Sequence, residues 1–97
     1  MKNNNELFET CTNCLTKELP VLRKMAGLTQ KDLGDILGVS RQTITNIESG
    51  AVKLKWSLFL AAMFIFSLDH NTSKYLKTMD MPYSQIREWL NEKRRED

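Results

Sequence analysis

Residues 30–49, QKDLGDILGVSRQTITNIES, constrain this chain more than any other stretch. Two short amphipathic segments flank Gly38. Leu33, Ile36 and Leu37 recur at helical spacing in the first, and Ile44 and Ile47 do so in the second. Val39 lies in the turn, where it can plug the gap between the two apolar faces. Gly38 permits the left-handed backbone that a sharp reversal between helices needs. Gly34 falls where two steeply crossing helices must touch, so a small residue is required there. Thr29 and Ser40 are read as N-caps, and Thr29 with Asp32 approximates a capping box. The expected structure is a pair of helices locked face to face.

The flanking sequence also reads as helical. Residues 1–5 are polar and expected to fray. Leu7, Phe8, Cys11, Cys14 and Leu15 then fall at helical spacing, making residues 1–15 an N-terminal arm or short helix. Thr16 is read as the N-cap of a helix over 17–26. Pro20 would sit in its first turn, where a missing N–H is tolerated. Leu19, Leu22 and Met25 would face inward, and Gly27 would end the helix. Beyond Gly50 come a loop with two lysines (51–55), an apolar helix (56–68), polar residues 69–72 and a short helix (73–79). A break at Asp80-Met81-Pro82 precedes a last amphipathic helix (83–94), and KRRED closes the chain as a mixed-sign tail. No strand pattern competes. The expected fold is all-α, a compact bundle of roughly five to six helices, divided into an arm (1–15), a central domain (16–69) and a helical C-terminal extension (70–97).

A chain of 97 residues buries roughly 60–65% of its unfolded surface, enough for one core. Fourteen Lys plus Arg against twelve Asp plus Glu leave a net charge of +2. That excess is too small to argue for a polyanionic partner on its own, so any such case rests on where the charges sit. The apolar run from Leu58 to Phe66 is far short of the ~20 residues that span a bilayer. No charged-then-apolar leader follows Met1, and a soluble, cytoplasmic protein is expected. Cys11 and Cys14 form a lone CxxC. Structural zinc needs a full tetrahedral ligand set, His70 is the only histidine, and a thioredoxin-like motif would need a βαβ context. Half-buried packing is therefore the reading of the cysteines, with no metal and no cofactor; the weaker alternative is a thiol- or metal-responsive switch built on Cys11 and Cys14. His70 is read as a solvated linker residue. No nucleophile, base and orienting group form a recognisable set, so the chain is not expected to be an enzyme.

The outward face of the segment after Gly38 carries the chemistry. With Ile44 inward, steps of about 100° per residue place Gln42, Thr45, Asn46 and Ser49 outward, and Arg41 can reach forward from the helix start. Arg donates to guanine O6 and N7, Gln and Asn pair with adenine N6 and N7, and Thr can touch a thymine methyl. An ordinary exposed helix face would use Glu and Lys, which are better helix formers. This face is a set for reading DNA in the major groove.

The longer run LRKMAGLTQKDLGDILGVSRQTITNIESG, with its GLTQ, LGVS and IESG segments, resembles the helix-turn-helix regulators of the phage repressor/Cro type, the XRE family. The resemblance extends from Leu19 to about Leu68 and implies a lambda-repressor-like DNA-binding domain, of bacterial, plasmid or phage origin. One departure is Gly34, where the family usually has Ala; it costs the helix roughly 1 kcal/mol in propensity but keeps the contact small. The resemblance implies base contacts by Ser40, Arg41, Gln42, Thr45 and Asn46, and phosphate contacts by Gln30, Thr43, Lys53 and Lys55. It also implies a buried ion pair between Arg23 and Glu48. The residues agree with that pair, since Glu48 points sideways into the unit and needs a cation.

The expected function is sequence-specific binding of double-stranded DNA by a transcriptional regulator, a repressor, with helix 41–48 in the major groove. A homodimer would read a two-fold operator whose half-sites lie about one helical turn, ~34 Å, apart. The alternative is a protein-interaction module, such as an antitoxin or complex subunit, with weak or no specific DNA binding. LFLAAMFIF is apolar on nearly every helical face, whereas a surface helix shows one stripe. It must be covered on two sides. The preceding helices supply one, and the other needs the C-terminal segment, where Ile86, Trp89 and Leu90 offer a matching apolar face, a partner subunit, or both. The dimer is the favoured reading, with Phe64, Ile86, Trp89 and Leu90 as its candidate interface. No membrane partner is expected. No small-molecule ligand is evident, though the C-terminal third could hide a small pocket.

Overall fold

The structure, a computed structural model, describes residues 4–95; the remainder of the polar start and of the closing tail lies outside it. Among the described residues there are six helices and no strands: α1 Asn4–Met25, α2 Gln30–Leu37, α3 Arg41–Ser49, α4 Trp56–Leu68, α5 His70–Thr78 and α6 Tyr83–Arg95. The expected all-α bundle is what forms.

The main departure from the sequence reading is α1. It is one helix of 22 residues, with no arm and no new start at Lys17. Thr16 does not cap; its hydroxyl donates back to the Thr12 carbonyl at 2.7 Å. Pro20 lies inside the helix, where it removes the bond its N–H would have made to that turn, a cost of ~3 kcal/mol or more. The compensation is tertiary. Leu7, Cys11, Leu15, Leu19 and Leu22 form one unbroken stripe, all of it buried, and fully burying a leucine side chain contributes roughly 1.5–3 kcal/mol. A break at Thr16 would rotate half of this stripe out of the core. Met25, expected inside, stays exposed, because the stripe has drifted past it by the last turn.

The α2–α3 pair follows its local signals. Thr29 Oγ1 accepts from the Asp32 N–H while the Asp32 carboxylate accepts from the Thr29 N–H, both at 3.0 Å. Gly38 takes φ 77° and closes α2, and Ser40 caps α3 through the Thr43 N–H. Leu33, Ile44 and Ile47 are buried, with Leu37 and Val39 half-buried against them. Ile36 is an exception to the sequence reading: it faces solvent.

α4 packs on α1, α2 and α5. Phe59, Ala62 and Phe66 are buried, but Leu60, Phe64 and Leu68 remain 51%, 61% and 67% exposed. Residues 69–72 are not a linker. Asp69 closes α4 and caps α5, accepting from the Asn71 and Thr72 N–H groups, so α5 starts at His70. The buried Thr72 hydroxyl is satisfied by the Phe66 carbonyl at 2.7 Å. Met79 and Met81 anchor the connection to α6.

α6 docks through aromatic side chains. Phe8 stacks on Trp56 with centroids 4.0 Å apart, and Trp56 stacks on Phe59 at 4.8 Å. Trp89 sets its edge against both Phe8 and Trp56. Ile86 and Trp89, read as interface residues, are therefore half-buried against the chain's own core, while Leu90 is exposed. Cys11 is wholly buried and Cys14 partly so, and no disulfide joins them. Burial, helped by the Glu18 and Asp80 carboxylates, pushes the Cys14 thiol pKa up, which disfavours the reactive thiolate. No His/Cys/Asp/Glu cluster suited to a metal, and no helix long and apolar enough to cross a membrane, occurs among the described residues.

Candidate nucleic-acid interface

Hydrogen bonds converge on Glu48, near the end of α3. Its carboxylate accepts from Arg23 Nε at 2.8 Å, Arg23 Nη2 at 3.1 Å and Gln30 Nε2 at 3.1 Å. The Arg23 and Glu48 side chains are only 12% and 8% exposed. Arg23 Nη1 also donates to the Leu28 carbonyl, so the guanidinium fixes the α1–α2 loop and α3 together. Arg suits this role because its planar fork meets a carboxylate with two parallel bonds.

Gln30 extends the chain. Its amide nitrogen donates to Glu48, and its amide oxygen accepts from Thr45 Oγ1 at 2.8 Å. These two bonds set the amide orientation, because a carboxylate can only accept. Arg23, Glu48, Gln30 and Thr45 thus form one linked set running from α1 through α2 to α3. The sequence reading gave Gln30 a phosphate. The structure commits both ends of its side chain inside the protein, leaving only its second amide hydrogen uncommitted. Gln is detectable at this position from sequence, but its two partners on α3, Thr45 and Glu48, are not.

The exposed edge of α3 is ordered before any ligand arrives. Gln42 Nε2 donates to Asn46 Oδ1 at 3.0 Å, leaving the Gln42 oxygen and the Asn46 amide hydrogens outward. Arg41 is exposed, and Thr45 and Asn46 are half-exposed. Ser40 and Thr43 are more committed: the Ser40 hydroxyl accepts from the Thr43 N–H at 3.0 Å and lies 2.9 Å from the Thr43 hydroxyl. Their first duty is the cap.

Lys53 and Lys55 are exposed on either side of buried Leu54. That leucine pins the α3–α4 loop to the core, so the lysines are presented outward on a fixed backbone. A lone apolar residue between two lysines was the available signal, and the sequence reading passed over it. Charge is also unevenly placed. Residues 22–55 hold six Lys and Arg against three Asp and Glu, more than the whole chain's excess of +2, so the rest of the chain is slightly acidic.

Two short helices joined through a left-handed glycine, with a polar outward face on the second, define a helix-turn-helix unit. Residues 22–55 match the family model described as helix-turn-helix. The match spans about a third of the chain and agrees with the resemblance to helix-turn-helix regulators of the XRE type. No curated protein and no solved structure matches the chain.

Proposed function

We propose that the protein is a sequence-specific, cytoplasmic DNA-binding regulator of transcription, acting as a repressor. The observation that carries this reading is the ordered, uncommitted edge of α3 held on a braced frame: Arg41, Gln42 and Asn46 face outward while Arg23, Glu48, Gln30 and Thr45 fix the helix behind them. Arg41, Gln42, Thr45 and Asn46 read base edges, with Ser40 at their margin. Thr43, Lys53, Lys55 and the N-terminal turn of α2 around Gln30 hold phosphates. Repression needs only occupancy of the site.

Two copies bind a two-fold operator through the helix-turn-helix unit, with the helices after residue 69 supporting the association. Ile86 and Trp89 are occupied within the chain, so the surface open to a second copy is Leu60, Phe64 and Leu68 on α4, with Leu90 on α6. The same apolar stripe supports a second reading, in which a foreign chain binds α4 and DNA affinity is weak. Selection from a random duplex pool at stated salt tests both. A two-fold motif with half-sites ~34 Å apart is expected; no enriched sequence would favour the interaction module.

A further inference from the structure

A cavity of about 710 Å³ opens between α4, α5 and α6. Its walls include Met63, Phe64, Leu76 and the Tyr83 ring, and Lys77 and Arg87 stand at it from two different helices. Pockets for small molecules run about 300–1,000 Å³ and are mostly apolar, with a few placed polar groups. The other polar groups of the lining are already committed. Tyr83 Oη donates to the Leu76 carbonyl at 2.7 Å, Ser67 Oγ to Phe64 at 2.6 Å, and Ser73 Oγ to His70 at 3.5 Å. Lys77 and Arg87 make neither an ion pair nor a side-chain hydrogen bond among the described residues, and no carboxylate lines the cavity. An apolar body with two uncompensated cations matches one ligand chemistry. We propose that this cavity binds a small amphiphilic anion, a single-chain carboxylate whose tail lies along Met63, Phe64 and Leu76 and whose head meets Lys77 and Arg87. The site lies outside the helix-turn-helix unit and does not depend on DNA binding, but its Phe64 wall belongs also to the α4 surface open to a second copy, so ligand and association compete for that side chain.

Isothermal titration of the full chain with decanoate, below its micelle concentration, tests this. Saturable binding of one decanoate per chain is expected, with decanol about tenfold or more weaker, because it cannot form the charge-assisted bonds. K77Q and R87Q should each weaken decanoate severalfold and leave decanol unchanged. S67W, on an exposed wall position, should abolish both. Both charge substitutions are at exposed sites, so they keep the question answerable if Ser67→Trp fails to fold. Non-saturating uptake, equal affinity for decanol, or indifference to both charge variants would overturn the proposal. So would sedimentation showing that a second copy covers the cavity and excludes decanoate.

Discussion

Replacing Gly34 by alanine sets two effects of similar size against each other. Alanine gains roughly 1 kcal/mol of helix propensity over glycine, and the resembled family usually carries Ala at this position. In this chain the space is missing. A Cβ at Gly34 would lie 2.7 Å from the Val39 carbonyl oxygen, 3.2 Å from Ser40 C and 3.3 Å from Arg41 N. All three are backbone atoms, so no side chain can rotate away. The turn is also tied to the same residue, since the Gly34 carbonyl accepts from the Gly38 and Val39 N–H groups. Relief requires Val39 to move by about half an ångström, taking the Ser40 cap with it. Overpacking of this kind costs about 1–3 kcal/mol. The net expectation for Gly34→Ala is a loss of about 1 kcal/mol, which lowers Tm by about 4–8 °C in a domain of this size. Thermal and urea melts measure it, and amide chemical shifts of Ser40 and Arg41 report whether the start of α3 moves. A rise in Tm with those amides unmoved would show that the turn yields freely and that the close approach constrains nothing.

Glu48→Ala strands a buried Arg23 and should cost about 3–5 kcal/mol, whereas R23M combined with E48L should lose much less; equal losses in denaturant melts would argue against the ion pair as the source. Arg41→Ala should cost about 1–3 kcal/mol of operator binding and relax preference at one base position, while Lys53→Ala should weaken all duplexes alike and lower the salt slope by about one unit. A uniform loss for Arg41, or an unchanged slope for Lys53, would reverse those roles. Trp89 buries an indole N–H with no hydrogen-bond partner among the described residues, so Trp89→Phe should be neutral or stabilising while Trp89→Ala costs about 3 kcal/mol or more; a large loss for Phe would mean the N–H is engaged. The Asp32 carboxyl is held below its ordinary pKa, chiefly by the Thr29 backbone N–H. Its stabilising contribution is therefore present above the unfolded-state pKa and fades as pH falls through the folded-state value. Asp32→Asn should flatten the acid limb of a pH–stability profile, and an unchanged limb would remove the capping box from acid sensitivity.

What was legible in the sequence depended on the reach of each interaction. The Thr29–Asp32 box, the Ser40 cap and the Gly38 turn are settled within a few residues, and all form as read. Thr16 and Pro20 are local signals of the same kind, yet they misled, because burial of the stripe from Leu7 to Leu22 outweighs them. For Trp89 the sequence leaves the chain's own core and a partner both open, because Phe8, its aromatic neighbour, lies at the far end of the chain. The error over α1 has a consequence for the site. A separate arm would leave the helix-turn-helix unit mechanically independent of the C-terminal helices. Instead one helix carries Phe8, stacked against Trp56 and edged by Trp89, near its start, and Arg23, bonded to Glu48, near its end. The brace behind α3 and the dock that holds α6 are parts of the same helix, so the orientation of the outward face of α3 and the position of the C-terminal helix are set together.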